Sequence, residues 1–136
     1  MKRFTAVCVL FVWLSPVHAE PANILSGSAE LYQTDLDYFP DKLQINHAAG
    51  FSVSYHPNYK VVSVLNPWKG AIETFTYVLT QKGTPQPAGY EKAQHIAVPI
   101  ERFVSLSTTY FPHLVAIGAQ ETLVGLATAK FVYADW

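Results

Sequence analysis

Residues 102–125 read RFVSLSTTYFPHLVAIGAQETLVG, and the fold turns on this stretch. Phe103, Val104 and Leu106 form the short apolar run of a buried strand. Ser107, Thr108 and Thr109 crowd the point where that strand ends. A hydroxyl there accepts from the unpaired N–H groups of a first helical turn, so each of the three qualifies as an N-cap. Phe111, Leu114, Val115 and Ile117 give the following helix an apolar face, and Gly118 stops it. Leu123, Val124 and Leu126 open a second strand. The pattern is a β-α-β unit. Such a unit leaves its polar turn at the carboxyl end of the sheet, where open α/β sheets bind ligands.

Upstream, residues 50–100 read as a β-rich extension. Phe51, Val53 and Tyr55 alternate with Ser52 and Ser54, the period of a half-buried strand. His56-Pro57-Asn58 makes a turn, and Val61, Val62, Val64 and Leu65 the returning strand, so residues 51–65 form an antiparallel β-hairpin. Asn66 to Gly70 is a loop carrying Trp68, and Ile72 to Thr80 is a third strand. Two glycines and two prolines within Gly83–Gly89 exclude helix there. Glu91 to Gln94 suits one helical turn. Ala93 to Ile100 leads to a further strand, with Pro99 marking an edge or a strand end. The order is an antiparallel β portion followed by a β-α-β unit, an α/β chain whose hairpin and third strand are expected to pack as an added sheet or sheet edge.

Residues 20–49 carry little strand pattern and read as a mobile tether. Asp35, Asp37 and Asp41 form an acidic cluster without the glycine turn and terminal glutamate of a calcium loop, so a solvated linker is expected. The start of the chain is an export signal. Lys2 and Arg3 precede an uncharged apolar run, Phe4 to Leu14, and Val17-His18-Ala19 offers small residues for cleavage after Ala19. That run has 11 residues, too few for a bilayer span of about 20.

Loss of residues 1–19 removes Cys8, the only cysteine, and two cations, taking the formal charge from −1 to −3. An exported chain without disulfides suits a bacterial periplasm better than a small extracellular scaffold. With no Lys/Arg run, neither nucleic acid nor an anionic surface is indicated as the main partner. The remaining 117 residues suffice for one small domain.

Few residues suggest catalysis. Ser105, Ser107 and His113 are the nearby nucleophile and base candidates, but no Gly-x-Ser-x-Gly elbow accompanies them. The five histidines form no His-x-x-His or His-x-x-x-His pair, so a metal site built by this chain is not indicated. No glycine-rich phosphate loop follows a strand. Binding is better supported: the unpaired N–H groups beside Ser107, Thr108, Thr109 and Tyr110 suit an anionic or oxygen-rich ligand.

RFVSLSTTYFPHLVAIGAQETLVGLATAKFVY, residues 102–133, resembles the opening of the periplasmic binding proteins that deliver ferric siderophores, haem or cobalamin to ABC importers. The shared pattern is an arginine, a hydrophobic strand ending in serine, a Ser/Thr-rich turn, an amphipathic helix ending in Ile-Gly-Ala, then Leu-Val-Gly. Upstream, SVSYHPNYKVVSVLNPW and YVLTQKGTP look like the N-terminal extension of an iron-associated branch of that family. The resemblance covers about Phe51 to Tyr133. It implies a two-lobed body, of which residues 101–136 would be the start of a Rossmann-like first lobe, the chain being a truncated form of a longer protein. It further implies a ligand cleft lined by Ser107, Thr108, Thr109 and Tyr110, and by the loop after the second strand. There Lys130 would meet an anionic complex and Tyr133 would stack on a planar or catecholate group. Trp68 is a third candidate, with packing against the lobe as its plainer role. The implied ligand is a small iron chelate, the implied partner an inner-membrane ABC permease, and the chain a periplasmic monomer without a cofactor of its own. The family's acidic permease-docking residue is not assigned to Glu101 or Glu121. The alternatives are a small secreted β-rich interaction domain, complete at Trp136, and a secreted hydrolase using Ser107 and His113.

Overall fold

The computed structural model describes residues 23, 24, 27–130 and 132. The expected export signal, together with Tyr133 and Trp136, lies outside them. The described chain is mixed α/β with mostly sheet content. Strands β1 (Phe51–Tyr55), β2 (Tyr59–Val64), β3 (Phe75–Gln81) and β4 (Gln94–Val98) form one sheet in the order β1-β2-β3-β4. Strands β5 (Phe103–Ser105) and β6 (Leu123–Leu126) form a second sheet, with helix α1 (Phe111–Ala116) between them in sequence.

The hairpin forms where the serine alternation places it. Phe51 pairs with Val64 and Tyr55 with Lys60, and the His56 N–H closes the turn on the Tyr59 carbonyl at 2.9 Å. β3 continues antiparallel to β2. β4 then departs from the antiparallel expectation: it pairs parallel to β3, Tyr77 opposite Gln94 and Gln81 opposite Val98. The 12 residues from Lys82 to Ala93 make this possible, because a parallel return needs a crossover of about a dozen residues whereas a hairpin needs about two. The helical turn expected near 91–94 is a single hydrogen-bonded turn, Ala93 N–H to Tyr90 carbonyl at 2.9 Å, which runs straight into β4. Pro99 follows the end of β4, as its missing N–H requires.

The crossover is held by Asn58 of the hairpin turn. Its side-chain Nδ2 donates to Thr84 Oγ1 at 3.2 Å and to the Pro85 carbonyl at 2.9 Å, and its own carbonyl accepts from the Gln81 N–H at 2.9 Å. Tyr90 of the crossover meets Tyr59 edge-on, and Tyr59 stacks on His56. On the same face of the sheet lie paired Val61 and Val78, both buried, the second completely at 0 % exposure.

The opposite face gains a cover that the sequence pattern does not announce. The tether expected over residues 20–49 has no strand or helix among its described residues, yet Tyr38 and Phe39 are each only 4 % exposed. Main-chain bonds fasten this segment as a strap: Ala29 N–H to Lys82 carbonyl at 2.8 Å, and Tyr38 N–H to Pro57 carbonyl at 2.7 Å. The Leu43 N–H donates to the Tyr55 hydroxyl at 2.9 Å. The Lys60 ammonium lies 5.1 Å from the Phe39 ring centre, and burial holds its pKa below the ordinary lysine value. At Gly83 (φ +84°) a Cβ would sit 2.3 Å from the Ala29 carbonyl oxygen, so only glycine lets strap and sheet approach there.

The β5–α1–β6 unit has the order the spacing predicts. β5 and β6 pair in parallel, Phe103 opposite Leu123 and Ser105 opposite Leu126. Its burial differs from expectation: Val104 is largely exposed and Leu106 is 80 % exposed. Along the two strands the less exposed Phe103, Ser105, Leu123 and Gly125 alternate with exposed Val104, Val124 and Leu126. The six-residue helix α1 buries Phe111 alone, and Val104, Leu106 and Val124 stay exposed on and beside the strands.

Phe39→Ala is expected to lower stability by roughly 3 kcal/mol, read as a reduced urea midpoint at unchanged slope. A solvated tether would give a change within about 0.5 kcal/mol. Asp37 bonds the Lys42 ammonium and the Phe39 N–H, and the Lys42 hydrogen bond foremost holds its carboxyl below 3.8. That contribution is present above pH 3.8 and is lost as the pH falls through the lowered folded value. Asp37→Asn should therefore flatten the acid limb of the stability curve, by under about 1 kcal/mol because the pair is exposed.

Candidate functional site

The hydroxyl-rich turn begins at Ser107, two residues after the end of β5. Ser107 is extended (φ −142°, ψ 138°) and is the N-cap of a 3-10 turn, Thr108–Tyr110, that leads into α1. Its Oγ accepts from the Thr109 N–H at 3.3 Å and lies 2.9 Å from Thr109 Oγ1. Of the three residues offered as caps, Ser107 takes the role. Ser105 braces the turn from below: it is 1 % exposed, and its hydroxyl donates to the Ser107 carbonyl at 2.6 Å.

Pro112 stands in the first turn of α1, where its missing N–H costs nothing. Gly118 (φ +64°) ends the helix. Its N–H meets the Val115 carbonyl at 3.0 Å, and the Ala119 N–H reaches back to the Leu114 carbonyl at 2.9 Å. Those two bonds are the Schellman pattern.

The second loop of the candidate site follows β6. The Ala127 N–H donates to the Ser105 carbonyl at 3.0 Å, so the segments leaving β5 and β6 start side by side at the carboxyl end of both strands. Lys130 lies exposed on this loop, its N–H bonded to Thr128 Oγ1 at 3.2 Å. Thr109 and Tyr110 are exposed and Thr108 half-buried. Tyr133 lies outside the described residues.

Trp68 is not part of this grouping. Its loop joins β2 to β3 at the end of the four-stranded sheet remote from the β4–β5 link. Its ring packs at 5.9 Å on Phe75 of β3, so its packing partner is the extension itself.

A groove of about 550 Å³ runs between the two sheets, lined by Ile96 and Ile100 on one side and Phe103 and Val104 on the other. The Lys82–Glu101 ion pair, at 2.8 Å, ties the residue after β3 to the β4–β5 link, between groove-lining residues. The Ser107–Tyr110 turn does not line this groove. Among the described residues, no group of three or more His, Cys, Asp or Glu side chains is placed to hold a metal ion. No helix among them is long and apolar enough to cross a membrane.

Sequence reasoning missed Asn58 as the anchor of the crossover. The signal was a short polar residue after His-Pro at a tight turn, a position where the side chain commonly bonds nearby main chain. No family model, curated protein or solved structure matches this chain.

Ser107→Ala should destabilise the chain by about 1 kcal/mol, the usual loss for a cap. Ser105→Ala should cost about as much through the buried bond to the Ser107 carbonyl. Paired thermal melts with a Thr108→Ala control check both, since Thr108 makes no cap bond here.

Proposed function

We propose that this chain is the first-lobe portion of an exported solute-binding protein, which captures an oxygen-rich iron(III) complex of the siderophore type for an ABC permease. In this reading the β5–α1–β6 unit opens a Rossmann-like lobe. The observation that supports it is the pairing of two loops at one sheet end, the Ser107–Tyr110 turn and the Ala127–Lys130 loop, joined by the Ala127–Ser105 main-chain bond. Hydroxyls and N–H groups of the first loop donate to chelate oxygens. Lys130 of the second offsets negative charge, and Tyr110 and Tyr133 offer ring faces to planar groups. No bond is made or broken. The chain's part is to bind and orient, and an opposing surface is needed to exclude water.

The exposure of Val104, Leu106, Val124 and Ile117 favours a second reading, a secreted β-rich interaction domain whose apolar surface receives a protein.

Titration of the chain with a ferric siderophore, haem and cobalamin, followed by tryptophan fluorescence, decides between them. The first reading expects saturable quenching by one class, weakened about tenfold by Lys130→Ala at unchanged melting temperature. A folded chain that responds to none of the three sinks the first reading and leaves the second.

A further inference from the structure

The loop between β2 and β3, Leu65 to Thr74, reads LNPWKGAIET. Gly70 (φ +81°) and the bond from the Ala71 N–H to the Trp68 carbonyl at 3.1 Å make it a tight turn. The turn carries large apolar side chains outward. Ile72 is 94 % exposed and Trp68 53 %, with Leu65 and Phe75 exposed at its base. Lys69 and Glu73 are its two charges, of opposite sign, and both are exposed.

Three features bear on what receives these side chains. The loop lies at the far end of the four-stranded sheet from the β4–β5 link, so the β5–α1–β6 unit is not placed to cover it. Ile72 projects almost wholly into solvent, and a fluid layer yields around a projecting tip without a pocket shaped to fit it. The third feature is chemical. An indole has an apolar body and one N–H donor, and it settles where one end is apolar and the other wet, at the level of lipid headgroups. Lys69, adjacent to it, has a stem long enough to hold its ammonium at phosphate depth while neighbouring side chains sit deeper.

We propose that the Leu65–Thr74 loop is a lipid-contact tip, inserting Trp68 and Ile72 into the interfacial layer of a phospholipid bilayer. The balance of Lys69 against Glu73 makes apolar area the driving force, so binding is reversible and depends weakly on salt and on anionic lipid. The tip is independent of the chelate site and stands whether or not that reading holds.

The test uses the full chain with Trp13→Phe and Trp136→Phe, which leaves Trp68 as the sole tryptophan. It is mixed with phosphatidylcholine vesicles carrying brominated acyl chains. Flotation with the vesicles, a blue shift and quenching of Trp68 are the expected result. Replacement of a third of the lipid by phosphatidylglycerol should change partitioning less than twofold. Ile72→Ser should lower it about tenfold, as expected for one large side chain removed from the apolar layer. Failure to float overturns the proposal. So does flotation with Trp68 unquenched, which places the contact elsewhere in the chain. A blue shift that grows with protein concentration in the absence of vesicles also overturns it, and assigns the tip to self-association.

Discussion

Asn58 is the constraint on which the larger sheet depends. It sits buried in the hairpin turn, and both hydrogens of its carboxamide are used by the crossover, on Thr84 and Pro85. Its own carbonyl takes the N–H of Gln81, the last residue of β3. One residue thus joins the hairpin turn to the end of β3 and the adjoining start of the crossover, 26 residues on at Thr84. Without it the crossover would have to hold its course on other contacts, among them Tyr90 with Tyr59 and Lys82 with Val98 and Ala29. A polar group buried with every donor engaged fixes position more sharply than apolar packing of the same size, because a displaced partner leaves a costly unpaired group.

Much of the strand content was legible because these strands are one-sided or fully apolar. Ser52 and Ser54 opposite Phe51, Val53 and Tyr55 declare a face, and the turn residues between runs declare the hairpin. Direction was not legible in β4. Periodicity reports which side chains share a face, and His95 to Val98 would alternate alike in a parallel or an antiparallel pairing. The strap was invisible for a different reason. It is attached by main-chain hydrogen bonds and two aromatic rings, and neither has a period.

At the candidate site the order of elements was legible and their burial was not. Ser107 as a cap follows from a hydroxyl at the junction of strand and helix, and Gly118 as a stop follows from its freedom at positive φ. The exposure of Val104 and Leu106 depends on what lies over the strands, which no local pattern encodes. The same holds for Trp68. It was a third candidate for the ligand site, but only topology places it at the end of the four-stranded sheet remote from the β4–β5 link. The contrast divides the molecule physically. The four-stranded sheet is packed by its own strap and crossover, whereas Val104, Leu106 and Val124 of the two-stranded unit stay exposed.

The strap also sets a length. A free leash from Ala19 to Gly50 would allow the sheet to wander about 100 Å from the end of an export signal, at roughly 3.3 Å per residue. Pinning Ala29 to Lys82 shortens that leash to the ten residues after Ala19, about 35 Å when fully extended. That is close to the thickness of a bilayer's hydrocarbon core, about 30 Å. While any signal remained embedded at the membrane, the strapped sheet would be held within one bilayer thickness of the surface from which it emerged.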